Sequence, residues 1–357
     1  MSNYNILILG ASYGSLLASK MLFGGHSVKL VCLPAEADLI NSEGFRVRMP
    51  VRGRTDQIEL DSRKLVGEVS AAGAADVNPA DYDLVGLAMQ EPQYGSPGVR
   101  ELLDAIAKSG VPCMSIMNMP PLPYMKRIPG LDTEALKPAF TAPEVWDNFD
   151  PATLTLCSPD PQAIRPPGEN ANVLQVTLPT NFKVARFDVE RGNEILHRLE
   201  REIDAIRFDA SDESVELPVK LRFHESVFVP LAKWAMLMAG NYRCITEDGM
   251  QTAHQAVHHD LTASRSIYDF VIDVCMKLGA PREDLVPFDK YAAAAASLSR
   301  PASAARALNN GAINIERADK LVQLAAVQKG MSHPVLDDIV ALVDKRLEIN
   351  RKAKAAA

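Results

Sequence analysis

A short apolar run that breaks at a glycine, close to the start of the chain, limits the fold more than any other feature. Ile6 to Leu9 are all apolar, and Gly10 and Gly14 follow before the apolar residues resume. Such a run suits a β-strand that is covered on both faces. The glycines allow a tight turn into a helix whose first N–H groups can face a pyrophosphate. The stretch therefore predicts a dinucleotide-binding turn. Its predicted cofactor contacts are Gly10, Ala11, Ser12, Tyr13, Gly14 and Ser15.

The glycine turn has two other interpretations. The dinucleotide fingerprint is G-x-G-x-x-G, whereas Gly10, Ser12 and Gly14 read G-x-S-x-G, one residue short. The same letters spell the nucleophile elbow of α/β-hydrolases, with Ser12 as the nucleophile. An elbow normally follows several strands of its sheet, and no strand is readable before Ile6, so the position favours the dinucleotide turn. A turn that binds no nucleotide is the third interpretation.

Composition and charge favour a globular protein that binds small molecules. The 357 residues, 47% hydrophobic and 23% charged, suffice for two domains with separate cores. The net charge of −7 disfavours nucleic acid and acidic lipid, which attract basic surfaces. The five cysteines form no C-x-x-C pair, which is typical of a reducing compartment. With neither a signal peptide nor a membrane-spanning segment predicted, we expect a cytoplasmic protein.

A change of character near residue 212 predicts two domains. Before it, predicted strands alternate with helices such as Val99 to Ser109, in the order of a doubly wound parallel sheet. Beyond Glu216 the pattern is helix after helix, and the first is predicted over Val219 to Leu237. We therefore expect a Rossmann-type α/β domain at residues 1–212 and an all-helical domain at residues 213–357. The active site is expected in the cleft between them.

Lys233 is the main catalytic candidate, because it interrupts the otherwise apolar stretch from Phe228 to Gly240. An unpaired ammonium there is costly unless it lines a cavity, and desolvation would lower its pKa toward neutrality. Such a lysine can act as a general acid toward the oxygen that forms when hydride reaches a carbonyl. Asn241 falls on roughly the same helix face and can hydrogen-bond a substrate. The alternative is a lysine whose ammonium reaches solvent at the domain surface.

Several stretches resemble the ketopantoate reductase family. They are Ile6 to Ala11, Val28 to Val31, Glu43 to Val47, Asp83 to Val85, the lysine helix, Arg300 to Ser303, Gly311 to Glu316 and Gly330 to Pro334. The resemblance implies reduction of a small 2-oxo acid, with NADP favoured over NAD as the cofactor. It also implies that the family's catalytic lysine falls on Lys233 and one of its helix asparagines on Asn241. The substrate-side serine falls on Ser303, and the asparagine of a Gln-Asn-Gly loop falls on Asn118, where we expect both substrate and cofactor contacts.

Some family positions carry other residues in this chain. The family's active-site glutamate falls on Asn314, although Glu316 is close, and its first helix asparagine is Leu237. The cofactor-side lysine is Gln90 and the NADPH-selecting arginine is Leu33. The substrate need not be ketopantoate, and the choice between NAD and NADP stays open. We expect Asn314 to help bind the substrate and Gln90 to contact the cofactor, in a protein for which a homodimer is an open option.

A second resemblance, to opine dehydrogenases, rests on the short glycine turn. Those enzymes reduce an imine formed from an amino acid and a 2-oxo acid, and they use a histidine. The candidates here are His224, His254, His258 and His259. His254 and His258 share a helix face, but the glutamate of H-E-x-x-H and a third ligand are missing, so we predict no metal site. A descendant without cofactor binding, acting as a lyase, hydrolase or binding protein, is the remaining alternative.

Overall fold

The computed structural model, which describes residues 3–210 and 213–356, confirms the predicted α/β fold with a helical C-terminal region. The strands are β1 (Asn5–Leu9), β2 (Ser27–Val31), β3 (Arg46–Pro50), β4 (Gln57–Asp61), β5 (Val69–Ala72), β6 (Leu84–Leu87), β7 (Cys113–Ile116), β8 (Leu154–Ser158), β9 (Gln162–Ile164), β10 (Val173–Leu178), β11 (Phe182–Ala185), β12 (Arg207–Ala210), β13 (Glu213–Glu216) and β14 (Leu221–His224). Several short 3-10 turns connect them.

The helices are concentrated in the second half of the chain. They are α1 (Ala11–Phe23), α2 (Pro34–Glu43), α3 (Val99–Ser109), α4 (Leu122–Met125), α5 (Glu190–Ala205), α6 (Lys233–Met236), α7 (Ala253–His258), α8 (Leu261–Leu278), α9 (Phe288–Ala295), α10 (Ser303–Asn309), α11 (Ala318–Gln328) and α12 (Pro334–Ala355). None of these helices, within the described residues, has the length and hydropathy needed to cross a bilayer.

The main sheet has the strand order of a Rossmann fold. Its eight strands lie in the order β14-β11-β8-β7-β6-β1-β2-β5. All neighbours from β5 to β8 are parallel, whereas β11 is antiparallel to β8. From β5 to β8 this corresponds to the order 3-2-1-4-5-6 of dinucleotide-binding sheets. The order reverses between β1 and β6, which places the usual ligand-binding switch point at the carboxyl end of β1.

The chain forms two compact units that interleave along the sequence. Unit 1 comprises Met1–Met89, Gln93–Met117 and Glu144–Glu225, and unit 2 comprises Gln90–Pro92, Asn118–Pro143 and Ser226–Ala357. Unit 1 holds the main sheet, a second sheet in the order β4-β3-β10-β9, and the β12-β13 hairpin. The boundary predicted at residue 212 lies outside the described residues, together with residue 211, and stays a prediction.

The helix predicted over Val219 to Leu237 is wrong in its first half. Leu221–His224 forms β14, which pairs in parallel with β11, and the α-helix begins only at Lys233. Val219 has φ 64°, a left-handed conformation that a β-branched residue adopts only under strong constraint and that interrupts any helix. From Val219 to His224, apolar and polar residues alternate, which is the period of a strand, so the sequence did carry a strand signal that the helix prediction missed.

Next to this strained turn lies Lys20, a lysine that is only 1% exposed. Its Nζ donates to the Pro218 carbonyl oxygen (2.6 Å) and lies 3.8 Å from Met49 Sδ. Burial, and then the positive charge of Lys220, lower the pKa of Lys20 to about 7. The hydrogen bond holds the carbonyl that precedes Val219, so Lys20 helps to impose the unusual backbone there.

We expect Lys20→Met to remove a pH dependence of stability. The folded pKa of about 7 lies below the usual 10.5, so between these values the unfolded chain binds more protons than the folded one. The stability of the wild type should therefore rise with pH, by about 3 kcal/mol between pH 7 and pH 10 relative to the variant. Urea unfolding at a series of pH values measures this difference. The exposed Lys277→Met is the control, and a pH-independent difference for Lys20→Met would contradict the expectation.

Candidate functional site

The glycine turn lies at the switch point of the main sheet in unit 1. β1 ends at Leu9, Gly10 occupies the N-cap position with φ 99°, and α1 begins at Ala11. The first N–H groups of an α-helix have no partner within the helix. Those of Ala11, Ser12 and Tyr13 are therefore the donors that this turn can offer to an anion.

Close packing also requires glycine at both positions of the turn, because a side chain at either one would collide with its neighbours. A Cβ on Gly10 would lie 2.7 Å from the Ala88 carbonyl oxygen. A Cβ on Gly14 would lie 2.6 Å from Ile8 Cγ2, so this glycine lets α1 pack closely on β1. The third glycine of the dinucleotide fingerprint has the same packing role. The shortened turn thus keeps the first and last glycine functions, and Ser12 occupies the middle position.

Two side chains of the turn bond to backbone groups of unit 1. The buried Ser15 hydroxyl donates to the Ser12 carbonyl oxygen (2.8 Å). Tyr13 Oη donates to the Pro161 carbonyl oxygen (2.6 Å), and the ring meets Phe182 edge-on at 5.9 Å. Burial raises the pKa of Tyr13 well above its usual value. We therefore expect phosphate recognition to depend on the backbone N–H groups, while Tyr13 and Ser15 hold the start of α1 in place.

An ion pair lies just beyond β2, where Rossmann proteins distinguish NAD from NADP. Leu33 is 76% exposed there, and the Arg165 guanidinium pairs with the Glu36 carboxylate. Burial, and then the charge of Glu36, raise the pKa of the Cys32 thiol to about 11. An acid at this place typically binds the ribose diol of NAD, and an arginine the 2′-phosphate of NADP. Arg165 was missed by sequence reasoning because it lies 129 residues from Glu36.

Unit 2 contains the other predicted site residues. Gln90 is exposed and follows shortly after β6, while Ser303 is exposed and is the first residue of α10. Lys233, Asn241, Asn118 and Asn314 are half-buried. The roles assigned to these residues from the sequence stay predictions.

The helix that carries Lys233 changes its winding before it reaches Asn241. α6 ends at Met236, and Leu237–Asn241 continue as a π-helix. Residues eight apart in a regular α-helix are rotated by about 80° around the axis. A π-helix holds more residues per turn, so it brings Asn241 closer to the face that carries Lys233. Such π segments are frequent at functional sites.

Tyr291 supports this π segment from outside the helix. Its hydroxyl donates to the Met236 carbonyl oxygen (3.1 Å). A Cβ on Gly240 would lie 1.9 Å from that hydroxyl, so the tyrosine fits only because residue 240 is a glycine. The contact gives a physical reason for a glycine within an otherwise favourable helical sequence.

A buried carboxyl group, Glu316, meets Asn118 in unit 2. Asn118 Nδ2 donates to Glu316 Oε2 at 3.3 Å. The Tyr242 hydroxyl donates to the Glu316 carbonyl oxygen and accepts the Ala318 N–H (2.9 Å), which fixes the backbone. Burial raises the pKa of Glu316 to about 7; the Asn118 hydrogen bond and the Glu91 N–H oppose this rise, and the Glu91 charge adds to it. Glu316 can therefore hold or release a proton near neutral pH.

Glu91 is a second buried carboxylate, 1% exposed, beside Glu316. Its Oε1 and Oε2 accept the N–H (2.9 Å) and the hydroxyl (3.0 Å) of Thr141. Glu91, Asn118 and Thr141 all belong to the short segments that unit 2 takes from the first half of the chain. Those segments thus supply the groups that surround Glu316.

Asn314, where the family's glutamate was placed, has a different neighbour. Its Oδ1 accepts a hydrogen bond from Arg351 Nη2 at 3.0 Å. Glu316, two residues later, is the residue that the structure joins to Asn118. A signal that could have found it is an acid next to the buried Ile315, ahead of an apolar helix. The assignment of Asn314 to substrate binding stays a prediction.

The histidine pair on α7 packs against backbone carbonyl groups. The His254 and His258 rings stack at 4.7 Å. Their ring nitrogens lie 3.1 Å from the Ala296 oxygen and 3.0 Å from the Ala292 oxygen, respectively. In residues 3–210 and 213–356, no three His, Cys, Asp or Glu side chains are grouped so as to hold a metal ion. The stacking is explained by packing between α7 and the end of α9.

The strand order, the glycine turn at the switch point and the helical C-terminal region define a Rossmann-type α/β protein. Solved structures share this fold over nearly the whole chain. A dimeric ketopantoate reductase from Staphylococcus aureus has a TM-score of 0.62 at 10% identity and covers 97% of this chain and 99% of its own. A 2-dehydropantoate 2-reductase from Methylococcus capsulatus has a TM-score of 0.60 at 14% identity and covers 97% of each chain.

A third similar structure is that of a D-mandelate dehydrogenase in a ternary complex with NADH and anilino(oxo)acetate. Its TM-score is 0.61 at 13% identity, with 97% of this chain and 99% of that chain covered. No family profile matches the sequence, and comparison with curated protein sequences finds no significant match. The resemblance to ketopantoate reductases that the motifs predict is confirmed for the fold.

Proposed function

We propose that the protein is an NAD(P)H-dependent reductase of a small 2-oxo acid. The observation that carries the proposal is the glycine turn at the switch point of a Rossmann sheet, in a chain whose fold matches ketopantoate reductases. The D-mandelate dehydrogenase of similar fold was solved with NADH and an oxo-acid derivative, which supports the same class of substrate. Unit 1 would supply the turn that binds the diphosphate, and unit 2 would supply the proton donor.

The turn fits the diphosphate of a dinucleotide. The N–H groups of Ala11, Ser12 and Tyr13 begin a helix of 13 residues, so the partial positive charge of the helix N-terminus adds to their hydrogen bonds. When bound, a reduced nicotinamide supplies a hydride to a carbonyl carbon. Gln90 and Asn118 are the other proposed cofactor contacts.

Lys233 would transfer a proton to the carbonyl oxygen, so that a 2-oxo acid becomes a 2-hydroxy acid. Asn241, brought closer to the Lys233 face by the π segment, would hydrogen-bond the same substrate. Ser303, Asn314 and Asn118 would orient the carboxylate and the carbonyl. Correct positioning of the reacting groups would supply most of the rate.

Glu316 extends this proposal beyond the residues predicted from the sequence. Its carboxyl group accepts the Asn118 amide, and its pKa of about 7 allows either protonation state near neutral pH. We assign to it the orientation of Asn118. Because the substrate is an anion, the neutral form of Glu316 should favour substrate binding.

A two-stage experiment tests the proposed function. Fluorescence and melting-temperature titrations with NADH and NADPH come first, since a ligand of the native state must raise its melting temperature. A screen of 2-oxo acids, with and without added amines, follows. Absence of binding by both cofactors would refute the proposal, and turnover only with an amine would replace it with an opine-type reductase. Light scattering tests the accompanying proposal of a homodimer, as described for the S. aureus enzyme.

We expect Arg165→Ala to weaken NADPH binding at least tenfold and NADH binding by less than twofold. Arg165 is the cation next to the end of β2, and a hydrogen bond to a charged phosphate contributes about 1.5–3 kcal/mol. The measurement is the ratio of the two dissociation constants. Glu36→Gln is the matched variant, because loss of its charge should strengthen NADPH binding. Equal weakening of both cofactors by Arg165→Ala would contradict this role.

A further inference from the structure

A cavity of about 260 Å³ within unit 2 is lined by more positive than negative charge. Arg317 and Lys320 from the start of α11 and Arg351 from the end of α12 contribute cations. Asp344 is the acid among the lining residues. The lining residues alone have an excess of two positive charges, and the buried Asp319, which pairs with Arg317, reduces the local excess to one.

The three cations are neutralised to different degrees. Arg317 is fully paired: its Nε and Nη2 contact the buried Asp319 at 3.0 and 2.9 Å, and its Nη1 contacts Asp344 at 2.5 Å. Lys320 Nζ is 3.8 Å from the same Asp344, so this acid is shared by two cations. Arg317 is therefore structural, and Lys320 keeps much of its charge for another partner.

Arg351 has only neutral partners. Its Nε donates to the Ile313 carbonyl oxygen (3.0 Å) and its Nη2 to Asn314 Oδ1 (3.0 Å). Over residues 3–210 and 213–356 its guanidinium forms no ion pair. These two bonds fix the guanidinium plane at the cavity wall, and the remaining N–H groups form a planar donor set that suits a carboxylate or a phosphate.

We propose that this cavity binds the carboxylate or phosphate group of a small metabolite, held by Arg351 and Lys320. The volume suits an anion of a few non-hydrogen atoms and is smaller than a typical site for a drug-sized ligand. Asp344 limits the affinity, because it repels an anion and competes for Lys320.

The cavity shares residues with the Glu316 cluster. Thr141 lines the cavity and also holds the Glu91 carboxylate, while Asn314 and Ile315 line it and directly precede Glu316. A bound anion can therefore affect the Glu316 cluster and Asn314, the residue proposed above to help orient the substrate, so the cavity would be a regulatory site if the proposed function holds. Binding itself depends on no catalytic assumption.

Calorimetric titration of the full chain with inorganic phosphate and, separately, with malonate tests the proposal. Sodium chloride keeps the ionic strength constant. We expect saturable binding of at least one anion, and the anion that binds shows whether a phosphate or a carboxylate is preferred. The double variant Lys320→Ala, Arg351→Ala should weaken binding at least tenfold, and Asp344→Asn should strengthen it at least threefold.

Lys277→Ala is the matched control, since it removes an exposed charge from α8 in the same unit and should change the affinity by less than twofold. Absence of saturable heat with both anions would overturn the proposal. So would unchanged affinity in the double variant, or an equal loss in the Lys277 control. Calorimetry measures anion binding and does not depend on turnover. Failure of the anion-site proposal can therefore be told apart from failure of the proposed reductase activity.

Discussion

Replacing Lys233 by alanine is expected to lower kcat by a factor of about 10² to 10⁴, while the affinity for the reduced cofactor stays within about twofold. The lysine is proposed to protonate the substrate oxygen, and without it the new negative charge must be neutralised by water. The cofactor contacts proposed above belong to other residues, so they stay intact. Steady-state kinetics with an oxo acid from the screen, together with fluorescence titration of the cofactor, measure the two effects separately.

Lys277→Ala serves as the control for this variant, since it removes an exposed lysine from the same unit. Circular dichroism should show both variants folded. Parallel loss of cofactor affinity and turnover would indicate damage to the fold, and an unchanged kcat would remove Lys233 from the proposed mechanism.

Glu316→Gln should raise the free energy of unfolding by about 3 kcal/mol above pH 8 and change it little near pH 4. The folded pKa of about 7 exceeds the usual 4.5, so the folded state keeps a proton that the unfolded chain has lost. The wild type is thus fully stabilised only below about pH 4.5, and it loses this contribution as pH rises to about 7. Urea unfolding of both proteins from pH 4 to pH 9 measures the difference in their free energies of unfolding. The contributions of the other titrating groups are common to both proteins and cancel in this difference.

The same variant has an expected kinetic signature. In the wild type, KM for the anionic substrate should increase as pH rises through about 7, because the ionised Glu316 repels it. In Glu316→Gln this increase of KM near pH 7 should disappear. Glu283 is an exposed glutamate in unit 2, so Glu283→Gln is the control and should keep the increase of KM near pH 7. Stability curves that run parallel for wild type and Glu316→Gln would show that Glu316 has no raised pKa.

Elements with local signals at both ends could be predicted from the sequence. The predicted helix Val99 to Ser109 matches α3 in both bounds. Gly98 and Gly110 flank it with φ values of 81° and 66°, and Leu103 and Ile106 define its buried face. Helix periodicity and glycine ends are local properties, so no tertiary information was needed.

Elements that depend on distant partners could not be predicted in this way. The residues after Val219 alternate between polar and apolar, which indicates a strand, but the alternation does not identify the strand that pairs with it. The outcome is decided by pairing of β14 with β11, which lies about 40 residues earlier in the chain. Lys20 also holds this stretch, through its hydrogen bond to the Pro218 carbonyl oxygen. A lysine read from the local sequence alone would be expected at the surface, so this contact could not be predicted.

In the candidate site, too, the contiguous motif was predicted and the contacts between distant residues were not. The glycine turn is a contiguous motif, and it was found at the expected place after β1. The Asn118 to Glu316 contact joins residues 198 positions apart, so no local pattern could reveal it. Arg165 reaches the end of β2 from the position directly after β9, and no local rule connects the two strands.

The interleaving of the two units constrains how the protein can be synthesised and recombined. The chain leaves unit 1 after Met89, Met117 and Glu225, so unit 2 contains pieces from both halves of the gene. On the ribosome, Glu91 and Asn118 are synthesised long before Glu316. They cannot form their contacts with it until the last segment of unit 1, Glu144–Glu225, and the first part of the C-terminal segment have been made. A gene cut after residue 225 separates these partners, so exchange of unit 2 between relatives must carry its two short segments along with the C-terminal part of the chain.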